Sequence, residues 1–532
     1  MNRHTYKLLY LHHNPTAMFA KKLSISACLL LLLLCLNVTA QKTSAFPISA
    51  PEQQGVSAAS IVSFVDAAAK SKTEFHSFIF LRHGKVVAQG WWNPYGPTLK
   101  HTLYSCSKSF TAAAVGFALA EKKLKLSDKL VDIFPNDLPP IVGSNLAELT
   151  VRDVLMMSDG QDPDPTPKVV GTPDWAKAFL ATPILNEPGT KFLYNSTGTY
   201  MLSAIVQKVT GQKVIDYLKP RLFEPLGITG EDWEISPQGI NTGGWGLRLK
   251  TEDLAKFGQL YLQHGSWKGK QILPKEWVDS ATTMKIMQDP SAPQSKKDSS
   301  DWLQGYCYQM WRCRHNAFRA DGAFGQYIIV MPEEDAVIAI TAETPDMQEE
   351  INLVWQYLLP SMHEGRLPAD NATDAQLQQK LASLALAPPA EAVQPAPASI
   401  TGKTFKLQSN MKKMDEIGFD MNNSACTVTV KGDTATYHLQ FGNGQWKAGE
   451  TTRPGPNLLT GAQFNYVGLP AFKTAGSYTW QDAQTLVLTL RYIESPHTET
   501  LTCHFDGNNI SIDVLNSFNY DGKKTVLKGT AL

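Results

Sequence analysis

Leu103-Tyr104-Ser105-Cys106-Ser107-Lys108-Ser109-Phe110-Thr111-Ala112-Ala113-Ala114-Val115-Gly116 is the stretch on which the reading of this chain turns. Its alanine-rich continuation predicts a helix from Ser105 to Ala120. Residues three apart share a helix face, so Lys108 stands beside Ser105. A serine hydroxyl is a poor nucleophile until a positioned base takes its proton. A buried lysine can be that base, because burial disfavours its charged form. The spacing alone is weakly selective, since ordinary residue frequencies give roughly two such matches in a chain of this length. A second copy, Ser409 with Lys412, lies in a β-rich region with no helix behind it and reads as two surface residues.

Working outward, Ser77 to Arg82 and Lys85 to Trp91 are β-prone runs around His83-Gly84 and predict a hairpin. Tyr327 to Met331 and Ala336 to Thr341 repeat that form around Pro332 to Asp335, both apolar enough to be buried on two faces. A helix is expected near Ala58 to Ala69. Helical patterns fill the middle, at Val151 to Met157, Tyr200 to Val209 and Thr251 to Gln263, and Gln348 to Leu359 follows. Strands at both ends of a helical middle predict an α+β domain: one antiparallel sheet made from both ends and covered by helices, with a helical subdomain. It is expected to span 41–365. Residues 366–399, with a helical segment at Ala375 to Leu386 and then Pro388-Pro389 and Pro395-Ala396-Pro397, read as a linker. From 400 to 532 the runs Cys426 to Val430, Thr434 to Phe441 and Thr485 to Leu490 predict a small all-β domain, a barrel or a sandwich.

At 532 residues the chain exceeds one usual core, which fits two domains. Basic and acidic residues both number 49, so no overall field draws nucleic acid or an anionic surface. Lys122, Lys123 and Lys125 read as a solvated helix end. Lys21-Lys22, the apolar run Leu23 to Leu36 and Val38-Thr39-Ala40 have the form of a signal peptide over residues 1–40, cut after Ala40. A retained anchor is the alternative, although the run is shorter than the roughly 20 residues of a span. The expectation is an exported protein, periplasmic or secreted, with no stable membrane span after cleavage. Of seven cysteines, five follow that segment. In an oxidising compartment Cys426 with Cys503 and Cys307 with Cys313 are plausible pairs, leaving Cys106 free.

The Leu103 to Gly116 segment resembles the nucleophile helix of the class C β-lactamase-related serine hydrolases, a family that includes penicillin-binding proteins, esterases, D-amino-acid peptidases and aminohexanoate-oligomer hydrolases. Further blocks agree in order: Leu149 to Gly160, Pro188 to Ser196, Gly243-Gly244-Trp245-Gly246-Leu247, Asp253 to Gly258, and Phe318 to Gln326. The resemblance implies Ser105 as nucleophile, Lys108 as its proton acceptor, and Tyr194 of Tyr194-Asn195-Ser196 as a second acid or base. It also implies an oxyanion hole from the Ser105 N–H and that of Ala323, just after the motif glycine Gly322.

Two positions depart from the family pattern. Ser196 replaces the usual Asn and either donates a hydrogen bond to substrate or caps the following helix. Ala320-Asp321-Gly322 replaces Lys-Thr-Gly or His-x-Gly, removing the cation for a β-lactam carboxylate, although Arg319 is adjacent. The expected activity is acyl-enzyme hydrolysis of an ester or linear amide in a small molecule or peptide. D-amino-acid peptidase or β-lactamase action, or a catalytically retired peptidoglycan or peptide receptor, are the alternatives. No metal or cofactor is implied. His83, His101, His264 and His315 read as turn or surface residues rather than a triad base, and the loops Gln161 to Pro173 and Asp289 to Asp301 are expected to set specificity.

Overall fold

The computed structural model describes Met1 and residues 45–390, 400–422, 424–432, 435–462 and 465–532. Residues 46–532 form one compact unit. The expected signal segment and Pro395-Ala396-Pro397 lie outside the described residues.

The first helix, α1 (Ala58–Ala68), precedes a hairpin of β1 (Glu74–Arg82) and β2 (Lys85–Trp91), whose turn is made by His83 and Gly84 at positive φ. The helical middle contains α2 (Ser107–Ala120), α3 (Ser196–Thr210) and α4 (Thr251–Leu262). The chain then returns through β3 (Trp311–Arg312), β4 (Phe318–Gly322), β5 (Gln326–Met331) and β6 (Ala336–Glu343) to α5 (Met347–Leu353). The strands lie in the order β2-β1-β6-β5-β4-β3, every pair antiparallel. β1 and β6, from opposite ends of the domain, pair through Phe80↔Ile338 and Phe78↔Ile340.

Side-chain alternation divides this sheet between two covers. Phe78, Phe80, Tyr327, Ile329, Ile338 and Ile340 join Ile61, Phe64, Val65 and Trp355 in one core. The other face meets α4, where Gly258 lies against Ile328 and Val337. Runs buried on both sides read as almost uninterrupted apolar stretches, which is why the β5–β6 hairpin was the clearer of the two in sequence.

Residues 366–390 are not a free linker. Helix α6 (Asn371–Ala382), capped by Asp370, buries Leu377 in the same core as α1, and Leu386 N–H bonds Asn93 O at 2.8 Å. Apolar residues at Leu377, Leu381 and Leu384 draw this segment onto the domain despite the prolines that follow.

The C-terminal region is a barrel rather than a sandwich. Its strands are β7 (Thr404–Leu407), β8 (Met414–Met421), β9 (Ala425–Gly432), β10 (Thr436–Asn443), β11 (Lys447–Thr451), β12 (Phe472–Trp480), β13 (Thr485–Tyr492), β14 (Thr498–Asp506), β15 (Asn509–Asn516) and β16 (Thr525–Ala531). Neighbours follow the order β10-β9-β8-β7-β16-β15-β14-β13-β12-β11, and β10 also pairs in parallel with β12 through Gly442↔Ser477 and Asn443↔Tyr478. That contact closes the sheet, leaving β11 paired on one side only. Cys426, Val428 and Val430 alternate inward with Leu486, Leu488 and Leu490 to fill the interior.

The expected disulfides are absent. Cys106, Cys307, Cys313, Cys426 and Cys503 are all buried free thiols. Cys426 lies between β8 and β10, and Cys503 between β13 and β15, so each packs from a different wall of the barrel. Cys313 Sγ instead accepts Arg319 Nη1 at 3.2 Å.

Candidate active site

Ser105 occupies the single turn Tyr104–Cys106 that feeds α2. The strand Leu247–Leu249 anchors it on one side: Leu103 N–H bonds Leu247 O at 3.0 Å, and Leu247 N–H bonds Ser107 Oγ at 3.1 Å. The end of β4 closes in on another. A Cβ at position 322 would lie 2.1 Å from Leu103 O, so glycine is what lets β4 approach the Tyr104–Cys106 turn. Ala323 follows directly.

Lys108 is 1% exposed, and its Nζ donates to Ser196 Oγ at 2.9 Å and Gly244 O at 2.7 Å. Burial pulls its pKa down to about 7, against the charges of Asp164 and Asp321, which raise it. A Cβ on Gly244 would come 2.6 Å from Ser196 O and 3.3 Å from Lys108 Nζ, which explains the glycine pair in the Gly243 to Leu247 block. The ammonium also lies 5.0 Å from the centroid of the Tyr194 ring.

Tyr194 lies near enough to Ser105 for that side chain to favour the ionised phenol, and it stacks on Trp311, centroids 5.4 Å apart. Burial, with the nearby charge of Asp321, holds its phenol well above the usual range, so it stays protonated at neutral pH and is a proton donor there. Ser105, Lys108, Tyr194 and Ser196 are therefore brought together, with Gly322 and Ala323 beside the Tyr104–Cys106 turn.

Ser196 does not cap α3. Asn195 does, its Oδ1 accepting the N–H groups of Thr197 and Gly198, both at 3.0 Å. Its Nδ2 donates to Asp159 Oδ2 at 2.9 Å and Gln161 Oε1 at 2.8 Å, tying the Leu149 to Gly160 block to the tyrosine motif. Asp159, buried here, is pushed up to about 7. An asparagine at a helix entry was the available signal for this role.

Arg319 offers no free cation. It is 0% exposed, its Nε and Nη2 meet Asp321 Oδ2 at 3.0 and 2.8 Å, and its guanidinium lies 4.3 Å from the Trp302 ring centroid. Strand alternation puts residues 319 and 321 on one face, so this pairing was readable from sequence.

The loop Gln161 to Pro173 reaches the site, since Asp164 acts on Lys108 and Thr166 Oγ1 accepts Thr197 N–H at 3.3 Å. The other expected loop ends in buried Asp301, held by Arg314 at 2.8 Å and Trp355 Nε1 at 3.0 Å. Lys122, Lys123 and Lys125 are exposed. His83, His264 and His315 are turn residues at positive φ, whereas His101 is buried, its Nε2 lying 3.0 Å from His76 Nδ1. Ser409 is exposed and Lys412 faces Glu499 at 3.8 Å.

The pattern of the beta-lactamase family matches residues 68–359, the segment that carries this constellation. The chain belongs to the beta-lactamase family. A 6-aminohexanoate-dimer hydrolase of Paenarthrobacter ureafaciens is 25% identical over 293 residues, covering 51% of this chain and 73% of the relative. A candidate D-alanyl-D-alanine carboxypeptidase of Escherichia coli (strain K12) is 30% identical over 145 residues, 24% of this chain and 33% of the relative. Among solved structures, a candidate 6-aminohexanoate-dimer hydrolase from Bacillus anthracis superposes with a TM-score of 0.50 at 20% identity, covering 61% of this chain and 89% of its own. That likeness supports the beta-lactamase fold. Membership of the beta-lactamase family, with hydrolases among its relatives, supports a hydrolase.

Proposed function

We propose that the chain hydrolyses an ester or linear amide through an acyl-enzyme on Ser105. The observation that carries this reading is the buried Lys108, one turn from Ser105 and 5.0 Å from the centroid of the Tyr194 ring, where burial draws its pKa down to about 7. Lys108 takes the Ser105 proton as Oγ attacks the carbonyl, and the N–H groups of Ser105 and Ala323 receive the developing oxyanion. Tyr194, protonated at neutral pH, hands a proton to the leaving alkoxide or amine as the C–O or C–N bond breaks. Water then attacks the acyl-enzyme by the reverse proton path. Linear amides are favoured over β-lactams because Ala320 stands at the third-motif cation position and Arg319 is neutralised by Asp321. The name of the Paenarthrobacter relative, a 6-aminohexanoate-dimer hydrolase, agrees with a linear substrate. We also propose export, from the basic and apolar pattern before Ala40. Among the described residues no helix is long and apolar enough to cross a membrane.

A panel of short acyl esters, ω-amino-acid amides, D-amino-acid peptides and β-lactams tests the substrate class. Turnover confined to β-lactams or D-peptides would overturn the preference for esters and linear amides. Turnover of none, by a folded chain, would favour a binding role. The pH profile tests the base. Lys108 accepts a proton only when neutral, so kcat/KM should fall about tenfold per unit as pH drops below about 7. It should stay level above that to about pH 9, because Tyr194 keeps its proton. A profile flat from pH 5 to 8 would exclude Lys108 as the base.

A further inference from the structure

The segment leading into Ser105 is held by the barrel. The β13–β14 turn, residues 493–497, is tight, with Ser495 N–H on Tyr492 O at 2.7 Å and Tyr492 N–H on His497 O at 3.1 Å. Its carbonyls receive the hydrolase strand: Glu494 O accepts Thr102 N–H at 2.9 Å and Thr102 Oγ1 at 3.1 Å, and Ser495 O accepts the Tyr95 hydroxyl at 3.2 Å. The turn ends in His497, which is 0% exposed. Its Nδ1 lies 2.7 Å from Glu343 Oε1 and its Nε2 lies 2.5 Å from the Tyr104 hydroxyl. With the Nδ1–H donated to the carboxylate, Nε2 is left to accept the Tyr104 O–H. Glu343, at the end of β6, is itself fixed by Ser517 Oγ at 2.8 Å.

Besides Glu343, two residues of the hydrolase domain meet this imidazole, and both of these sit in the left-handed region that non-glycine residues avoid: Tyr104 at φ 46 and Phe324 at φ 67. Tyr104 directly precedes Ser105, and Phe324 directly follows Ala323. The His497 ring is edge-on to Phe324 at 4.8 Å and to Tyr104 at 5.7 Å, and Tyr104 and Phe324 touch each other at 5.5 Å. Strained backbone persists only where its surroundings over-determine it. We propose that His497, with Glu343 behind it, is a positioning residue that sets the Ser105 and Ala323 backbone N–H groups to converge on one oxyanion. The barrel thereby completes the active site of the domain before it. This inference rests on the acyl-enzyme reading.

The test uses the full chain and two readouts: the rate at which an alkyl fluorophosphonate labels Ser105, and kcat and KM on p-nitrophenyl butyrate, with kcat divided by the fraction of chains that finally label. His497→Ala should lower the labelling rate and kcat by about 10- to 100-fold with KM changed less than about threefold, because misplaced donors weaken the transition state more than substrate binding. His497→Gln should recover to within about threefold of wild type, since its amide oxygen can accept from Tyr104 while its N–H reaches Glu343. Tyr104→Phe, a gentler change should the alanine variant not fold, removes the same bond and should be slowed, and adding His497→Ala to it should cost less than the product of the single effects. Variants that melt earlier but keep wild-type kcat per labelled chain would make His497 interface packing only and overturn the proposal. A folded wild-type chain that does not label at Ser105 would overturn the acyl-enzyme reading and this inference with it, whereas labelling of wild type and His497→Ala at equal rates overturns this inference alone.

Discussion

Ser105→Ala is expected to lower kcat on a short acyl ester by about 10⁴-fold or more, leaving a residue of activity from whatever oxyanion stabilisation survives. The reasoning is structural. Ser105 carries the hydroxyl next to Tyr194, one turn from the buried Lys108, and no other serine occupies that position. Ser196 is the nearest substitute, but its Oγ receives the Lys108 ammonium and begins α3 away from the 103–107 turn. The substitution removes one oxygen and leaves the backbone contacts of Leu103 and Cys106 in place, so folding should be retained. Steady-state kinetics on purified protein, with circular dichroism to confirm the fold, measures it. A loss below about tenfold would place the nucleophile elsewhere.

The second large effect is expected at Lys108. Lys108→Met keeps the stem volume and removes the base, and should lower kcat by about 10³-fold. Lys108→Arg should be no better, because a guanidinium cannot give up its proton and is too wide for the space between Ser196 Oγ and Gly244 O. A lysine acting only through its charge would instead be well replaced by arginine. The pair of variants, measured from pH 6 to 9 on the same ester, therefore separates proton transfer from electrostatics. The low-pH limb near 7 should also disappear from whatever activity remains in Lys108→Met, because the group that produces it is gone.

Elements whose character is local were legible in the sequence. The hairpin of β5 with β6 announces itself because both faces of the central sheet are covered there, so its runs are almost wholly apolar, and that of β1 with β2 because β-prone runs flank His83-Gly84. Helix α2 was legible from the alanine run after Lys108. Features that depend on distant pairing were hidden. Whether β7 to β16 closed into a barrel turned on one short contact of Gly442 and Asn443 with β12, which no periodicity reports. The pairing of Tyr104 with His497 spans 393 residues, and His497 carries no motif to single it out. Residues 366–390 were misread for the opposite reason: their prolines signal a linker locally, but the leucines of α6 find the hydrolase core.

The candidate site divides the same way. Ser105, Lys108 and Tyr194 follow from spacing and resemblance, while the support beneath them needed coordinates. Asn195, not Ser196, satisfies the start of α3, which frees the Ser196 hydroxyl to face Lys108. Arg319 was open to reading as a substitute cation until its burial against Asp321 and Trp302 was seen. The free state of Cys426 and Cys503 has the same origin, because thiols on different barrel walls can be near in the interior without meeting disulfide geometry.

The central claim is that Ser105 is the residue acylated during turnover. Incubating the intact chain with an alkyl fluorophosphonate, digesting it and locating the adduct by mass spectrometry tests this most directly. The account predicts one adduct per chain, on Ser105, forming faster above pH 7 than below it. An adduct on another residue, or a folded chain that takes no label at Ser105, would contradict it.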